Sequence, residues 1–279
     1  MTNLVMTICM NYDYQIYERF IGSLFDSIEN NTKLVIFIGK NDEIHLIKLK
    51  EIYENIIYFI VDNKNEHIVN YRFKLYYDYL DNNKENYDYI FLCDSRDVLF
   101  QKNIFEHPVI SNNYDLYIFE EETNNITIDK CKFNSLYIKK SGLNIENMIY
   151  NKNIICVGTI LGNVKGILSY LKEFNNILYN IVKVENRELY GTDSGINYYI
   201  IYGNLLKNIK IYICSNSDNL VYTIAFPNYL NLINYDELLN ENKQICYKKE
   251  ICYCVHQYDR FDDFIKRNIL INKNYNFCI

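Results

Sequence analysis

The chain has 279 residues, 49% of them hydrophobic, with 29 Tyr, 15 Phe, no Trp and a formal net charge of −6. That is enough apolar material for one large domain or two small ones, and Lys and Arg are scattered rather than clustered, which excludes nucleic acid as a general partner. No apolar run reaches the ~18 residues that a membrane-crossing helix needs, so no membrane span is expected. Nine Cys without regular spacing read as reduced, mostly buried small hydrophobes, since Cys252-Tyr253-Cys254 is too tight for the usual zinc pairs. The N-terminal stretch Met1 to Thr7 lacks the basic region and long apolar core of a signal peptide. Together these features predict a cytoplasmic setting.

Leu4 to Cys9 is the first predicted strand, followed by a loop at Asn11-Tyr12-Asp13-Tyr14. Tyr17, Phe20, Ile21, Leu24, Phe25 and Ile28 then fall at helical spacing. Lys33 to Ile38 is the second strand, stopped by Gly39. Glu43 to Glu54 predicts a helix with Ile44, Ile47 and Ile52 on its apolar side. Ile56 to Val61 is the third strand. Val69, Phe73, Tyr76 and Leu80 mark the next helix at i, i+4, i+7 and i+11. Tyr89 to Cys93 is a continuous apolar run, as in a parallel strand buried on both faces. The alternation predicts an α/β fold, a mostly parallel Rossmann-like sheet flanked by helices. No glycine-rich loop follows the first strand, so neither a dinucleotide fingerprint nor a P-loop is present.

Leu116 to Phe119 is a further strand, leading into Glu120-Glu121-Glu122. Residues 123–150 lack a clear period and predict a partly helical excursion. Ile154 to Val157 predicts a strand ending at Gly158-Thr159. Ile167, Leu168, Leu171, Phe174, Leu178 and Ile181 mark a long helix. Another helix carries Ile196, Tyr199 and Ile200, with Thr192 as its expected N-cap. Ile209 to Cys214 is a strand, 219–255 offers short strands and turns, and Cys252 to His256 leads into the C-terminal tail. No repeat or linker divides the chain.

The candidate chemistry begins where the apolar run Tyr89 to Cys93 stops at Asp94-Ser95-Arg96-Asp97. Ligands of open α/β sheets bind at the carboxyl ends of strands. Two carboxylates there need a cation, either Arg96 or a divalent metal held through oxygen ligands. Asp193 falls in the first turn of a predicted helix, where the dipole favours a carboxylate; it either stabilises that helix or takes a proton from a substrate hydroxyl. His256 follows a predicted strand and is a structural His or a metal ligand beside the carboxylates. Arg72 is placed to grip a phosphate or ribose, whereas Lys74 reads as a solvated helix charge. Thr7, Asn11 and Tyr12 follow the first strand, and Arg260 and Lys266 sit where a C-terminal flap could reach a diphosphate.

Phe91-Leu92-Cys93-Asp94-Ser95-Arg96-Asp97-Val98-Leu99-Phe100 resembles the metal-binding acidic motif of GT-A-fold glycosyltransferases, of the family 8-like superfamily. Val157-Gly158-Thr159-Ile160-Leu161-Gly162 is similar to the segment facing donor sugar and acceptor in that family. Gly191-Thr192-Asp193-Ser194-Gly195-Ile196-Asn197 is similar to its Asp-Gln-x-x-x-Asn helix start, with Ser194 in place of Gln. Val255-His256-Gln257-Tyr258 is similar to the segment whose His completes the metal site. The resemblance spans roughly residues 4–260 and departs in one respect: the acids are Asp-x-x-Asp, because Ser95 stands where a strict Asp-x-Asp would need a carboxylate.

This resemblance implies a single GT-A-type domain, with residues 1–122 as a nucleotide-binding half and 123–279 as a smaller acceptor-side half. It implies Mn²⁺ or Mg²⁺ held by Asp94, Asp97 and His256, and Asp193 as the catalytic carboxylate. It implies Thr7, Asn11, Tyr12, Arg72, Asp94, Ser95, Gly158 and Thr159 as donor-binding residues. The donor would be a nucleotide-diphosphate sugar, a UDP-sugar by preference, and the acceptor a hydroxyl of a glycan, glycoprotein or other molecule. A non-catalytic sugar- or nucleotide-binding protein of the same fold is the alternative. An aspartate-nucleophile phosphatase wants an acid two positions after its nucleophile, where this chain has Arg96. A nucleotidyltransferase would want a glycine- and Arg-rich loop that is missing after the first strand.

Overall fold

The computed structural model describes residues 2–28, 31–62, 66–123, 125–225 and 235–260. The N-terminal part alternates strands and helices as the periodicity predicts: β1 (Asn3–Cys9), α1 (Tyr14–Ser27), β2 (Thr32–Ile38), α2 (Glu43–Lys50), β3 (Ile56–Ile60), α3 (Ile68–Asn83) and β4 (Tyr89–Cys93). There follow β5 (Val98–Phe100), β6 (Leu116–Glu120), α4 (Lys132–Ser141), α5 (Glu146–Ile149), β7 (Ile155–Asn163), α6 (Val164–Asn180), α7 (Val184–Arg187) and α8 (Thr192–Tyr202). The last strands are β8 (Ile211–Cys214), β9 (Val221–Thr223), β10 (Cys246–Tyr247), β11 (Glu250–Ile251) and β12 (Cys254–His256).

Seven strands form the central sheet in the order β3-β2-β1-β4-β7-β6-β8. Every neighbouring pair is parallel except the two that involve β7, which runs against both β4 and β6. Helices cover both faces, giving a mostly parallel Rossmann-like α/β architecture consistent with a GT-A-type fold. The alternation of side chains along each strand feeds two cores. Leu4, Met6, Ile90 and Leu92 join Phe73 and Tyr76 of α3 and Tyr170 and Phe174 of α6 on one face. Val5, Phe91 and Cys93 join Tyr17, Phe20 and Leu24 of α1 on the other. The Phe73 and Phe174 rings stack at 3.8 Å, locking α3 to α6.

A second sheet, β5-β12-β9, packs beside the carboxyl end of β4. Its register places His256 opposite Val98 and Thr223, one residue from Asp97. The eight described cysteines are all free and buried, and no described helix is long and apolar enough to cross a membrane.

Three sequence expectations need correction. α2 ends at Lys50 and buries Leu46 and Leu49, while Ile44, Ile47 and Ile52 are exposed; both sets have helical spacing, and only contact with the sheet decides between them. β7 does not stop at Gly158-Thr159 but continues to Asn163, since the backbone from Thr159 to Asn163 pairs with β4. The N-cap position of α8 is Gly191, with φ of +94°; Thr192 is the first helical residue, and its hydroxyl donates to the Asn186 carbonyl instead.

Candidate active site

The carboxyl ends of β4 and β6, the amino end of the reversed β7, the first turn of α8 and the end of β12 converge on one cavity of about 300 Å³. Its floor carries Arg72, Asp94, Glu121, Cys156, Gly158, Asp193 and His256. Phe133, Asn134 and Tyr137 of α4 and Tyr190 before α8 form the wall towards its mouth.

Asp94, Asp97 and His256 each direct one ligand atom to a common point, all within 4.8 Å of one another. His256 Nε2 lies 3.3 Å from Asp94 Oδ2 and 3.6 Å from Asp97 Oδ1. It is buried and makes no hydrogen bond of good geometry. The other ring nitrogen, Nδ1, has Cys156 Sγ at 3.3 Å and Thr223 Oγ1 at 3.4 Å. A histidine anchored at Nδ1 with Nε2 bare towards two carboxylates has the form of a metal ligand held by its second nitrogen. The three residues therefore fit a divalent cation with mixed oxygen and imidazole ligands. Gly158 is required here by close approach: a Cβ on it would lie 2.6 Å from both Asp94 Oδ2 and His256 Cε1.

Arg72 is the cation that compensates Asp94, so the sequence reading of Arg96 is corrected for that carboxylate and holds for Asp97. Its guanidinium is buried and pairs with Asp94 Oδ1 through one nitrogen. Through the other it pairs with Asp193 Oδ2 at 3.3 Å. Arg72 thus bridges the metal-type cluster to the α8 carboxylate. Arg96 and Arg260 lie instead 3.5 and 3.4 Å from Asp97 Oδ2; Asp259 accepts from Arg260 Nε at 3.0 Å and forms an ion pair with Arg96 Nε at 2.9 Å.

These contacts set the charges. Burial would raise the Asp94 pKa, but Arg72 and then His256 outweigh it and hold this carboxyl well below the usual range. Asp97 is shifted upwards, chiefly by burial, with His256 opposing and the Asp94 charge reinforcing. Asp193 is pushed up to about 6 by burial, against the pull of Arg72 and with the help of Asp94. Burial alone would lower His256; Cys156, Asp97 and Asp94 together hold it well above its ordinary value.

Among the remaining sequence candidates, Gly158 lines the cavity, whereas Thr7, Asn11, Tyr12, Ser95 and Thr159 do not. The Thr7 hydroxyl is fully buried and donates to the Cys93 carbonyl at 2.8 Å. Ser95 donates to the Ile8 carbonyl at 2.9 Å. Thr159 is sealed inside β7. Asn11 takes the left-handed conformation at φ of +60°, and its N–H donates to Asp42. Tyr12 is half-buried against the α1 side of the core. Asn197 turns inward, accepting from the Tyr170 hydroxyl at 2.9 Å. Lys74 pairs with Asp78 at the surface, and Lys266 lies outside the described residues. Glu121, Cys156, Tyr137 and Tyr190 were not singled out from the sequence. Glu121 carried a usable signal, because it follows a strand end as Asp94 does.

No family model matches this sequence, and no curated protein matches it. Among solved structures, the chain is similar to 4-diphosphocytidyl-2C-methyl-D-erythritol synthase from Anaerococcus prevotii, at 10% identity and a TM-score of 0.47, over 77% of this chain and 86% of that one.

Proposed function

We propose that this protein is a metal-dependent glycosyltransferase that moves a sugar from a nucleotide-diphosphate donor to an acceptor hydroxyl. The observation that carries the reading is the Asp94–Asp97–His256 cluster, joined through Arg72 to Asp193 across one cavity. A divalent ion held there would neutralise the diphosphate and its growing charge on departure. An imidazole among the ligands favours Mn²⁺ over Mg²⁺.

Each residue then has a task. Asp94 and Asp97 supply oxygen ligands, and His256 supplies nitrogen. Arg72 keeps Asp94 ionised and orients Asp193. The acceptor oxygen attacks the anomeric carbon of the donor sugar. The bond from that carbon to the phosphate oxygen breaks, and its electron pair leaves with the nucleoside diphosphate. The acceptor proton passes to the Asp193 carboxylate, whose raised pKa makes it a stronger base than an ordinary aspartate. Arg260, which also lines the cavity, would meet the departing diphosphate. In this reading residues 1–122 serve the donor nucleotide and 123–279 the acceptor.

The test is nucleoside diphosphate release from a panel of sugar nucleotides, UDP-sugars first, with Mn²⁺, Mg²⁺ or chelator. Metal-dependent release from at least one donor is expected. Folded protein that binds donors in a thermal-shift panel yet never turns them over would instead identify a binding protein.

A further inference from the structure

Tyr190 is half exposed, at 52%, yet it is held from several sides. Its ring meets His67 and Tyr137 edge-on, with centroids 5.7 and 5.8 Å away. Lys140 Nζ donates to its carbonyl at 3.2 Å while lying 5.7 Å from the centre of the Tyr137 ring. The preceding turn is clamped to α3, where Asn70 Nδ2 donates to the carbonyls of Arg187 and Leu189 at 2.7 and 3.1 Å. Gly191, which follows, takes φ of +94°, and a Cβ there would lie 2.1 Å from the Tyr137 ring. Only glycine lets the turn bring the two rings together. An aromatic surface left facing solvent but fixed in orientation costs little entropy when a ligand covers it.

The surroundings give the ligand's chemistry. Phe133 and Tyr137 continue the aromatic wall along one stripe of α4, and Glu121, Asn134, Asp193 and Ser194 line the same cavity. Exposed aromatic ring surface in the same cavity as a set of hydrogen-bonding groups matches a pyranose ring, which has one face of C–H groups and a rim of hydroxyls. The carboxyl groups of Glu121 and Asp193 in the same lining can accept from sugar hydroxyls. We infer that Tyr190 and Phe133 form a subsite for a pyranose, and that this sugar is the acceptor. Its role as acceptor rests on the glycosyltransferase reading: a hydroxyl of the sugar on this wall would be the one that loses its proton to Asp193 and bonds to the donor's anomeric carbon.

The test separates binding from transfer. Saturation-transfer NMR with methyl glucoside, galactoside and mannoside reads sugar binding without catalysis. Nucleoside diphosphate release without acceptor reads donor hydrolysis, and the same release with each pyranoside reads transfer. Tyr190→Ala and Phe133→Ala are expected to weaken the saturation signal and raise the acceptor KM about tenfold, while Tyr190→Phe retains both. The inference is overturned if wild-type protein binds no pyranoside at millimolar concentration, or if both alanine variants keep the wild-type acceptor KM. Sugar binding that depends on Tyr190 without turnover of any donor would support the subsite and remove the transferase reading, so the two failures are distinct.

Discussion

The floor and the mouth of the cavity are built on opposite principles. On the floor, Arg72, Asp193 and His256 are almost fully buried and tied, with the buried Asp97 that does not itself line the cavity, into one network of charges. At the mouth, Tyr190 and Phe133 are about half exposed and offer apolar surface. A charged network in low dielectric punishes the loss of any one member, because its partners stay buried without compensation. An exposed ring can be removed with little cost to the fold. The floor is therefore where chemistry and stability are coupled, and the mouth is where specificity can change without risk to either.

Mutations that break this contrast should be ordered by their depth in the network. Asp97→Asn is expected to lower metal-dependent turnover by about 10³-fold or more, with a near-native circular dichroism spectrum; retained turnover would remove Asp97 from the metal site. Arg72→Leu leaves Asp94 and Asp193 facing each other without their shared cation. A loss of about 3 kcal/mol in urea unfolding is expected, towards the lower end of such cases because the Asp94 side chain is 32% exposed. Gly158→Ala introduces a methyl against Asp94 and His256. It should weaken Mn²⁺ binding in calorimetry about 10- to 100-fold, as loss of supporting geometry around a metal does.

The smallest effect sharpens the contrast through pH. The Asp193 pKa is raised to about 6 in the folded chain, above the ~3.9 of an unfolded aspartate. Protonated Asp193 therefore favours the fold: this contribution is complete below about pH 4 and is lost as pH rises through about 6. Asp193→Asn does not titrate, so its stability relative to wild type should improve by about 2 kcal/mol between pH 4.5 and 7.5. Turnover should move the other way, falling in wild type as pH drops through about 6 and the base is protonated. A wild-type stability profile that Asp193→Asn leaves unchanged would contradict the assignment.

Much of the scaffold was legible. Buried strands such as Tyr89–Cys93 are unbroken apolar runs, and α3 and α6 show their core faces as a period, so the first four strands could be read in order. Asp94 and Glu121 are visible as acids just past strand ends. The direction of β7 was not legible, because a strand buried on both faces has the same apolar run whichever way it points. Nor was the partner of Arg72, since a single positive residue on a helix looks the same whether it faces solvent or two carboxylates. Tyr190 was hidden by abundance: with 29 tyrosines in the chain, only three-dimensional placement distinguishes a fixed, exposed ring from the others.

The small sheet has a consequence in time. Asp97 and His256 are held together by the pairing of β5 with β12 and by the Gln257 N–H donating to the Asp97 carbonyl at 2.7 Å. These partners are distant along the chain, and closing so long a loop is slow. A nascent or partly folded chain presents Asp94 and Asp97 without their imidazole, a weaker trap for metal. In the proposed metal-dependent reading, capture of the ion by all three ligands would wait on the docking of β12 at Cys254–His256.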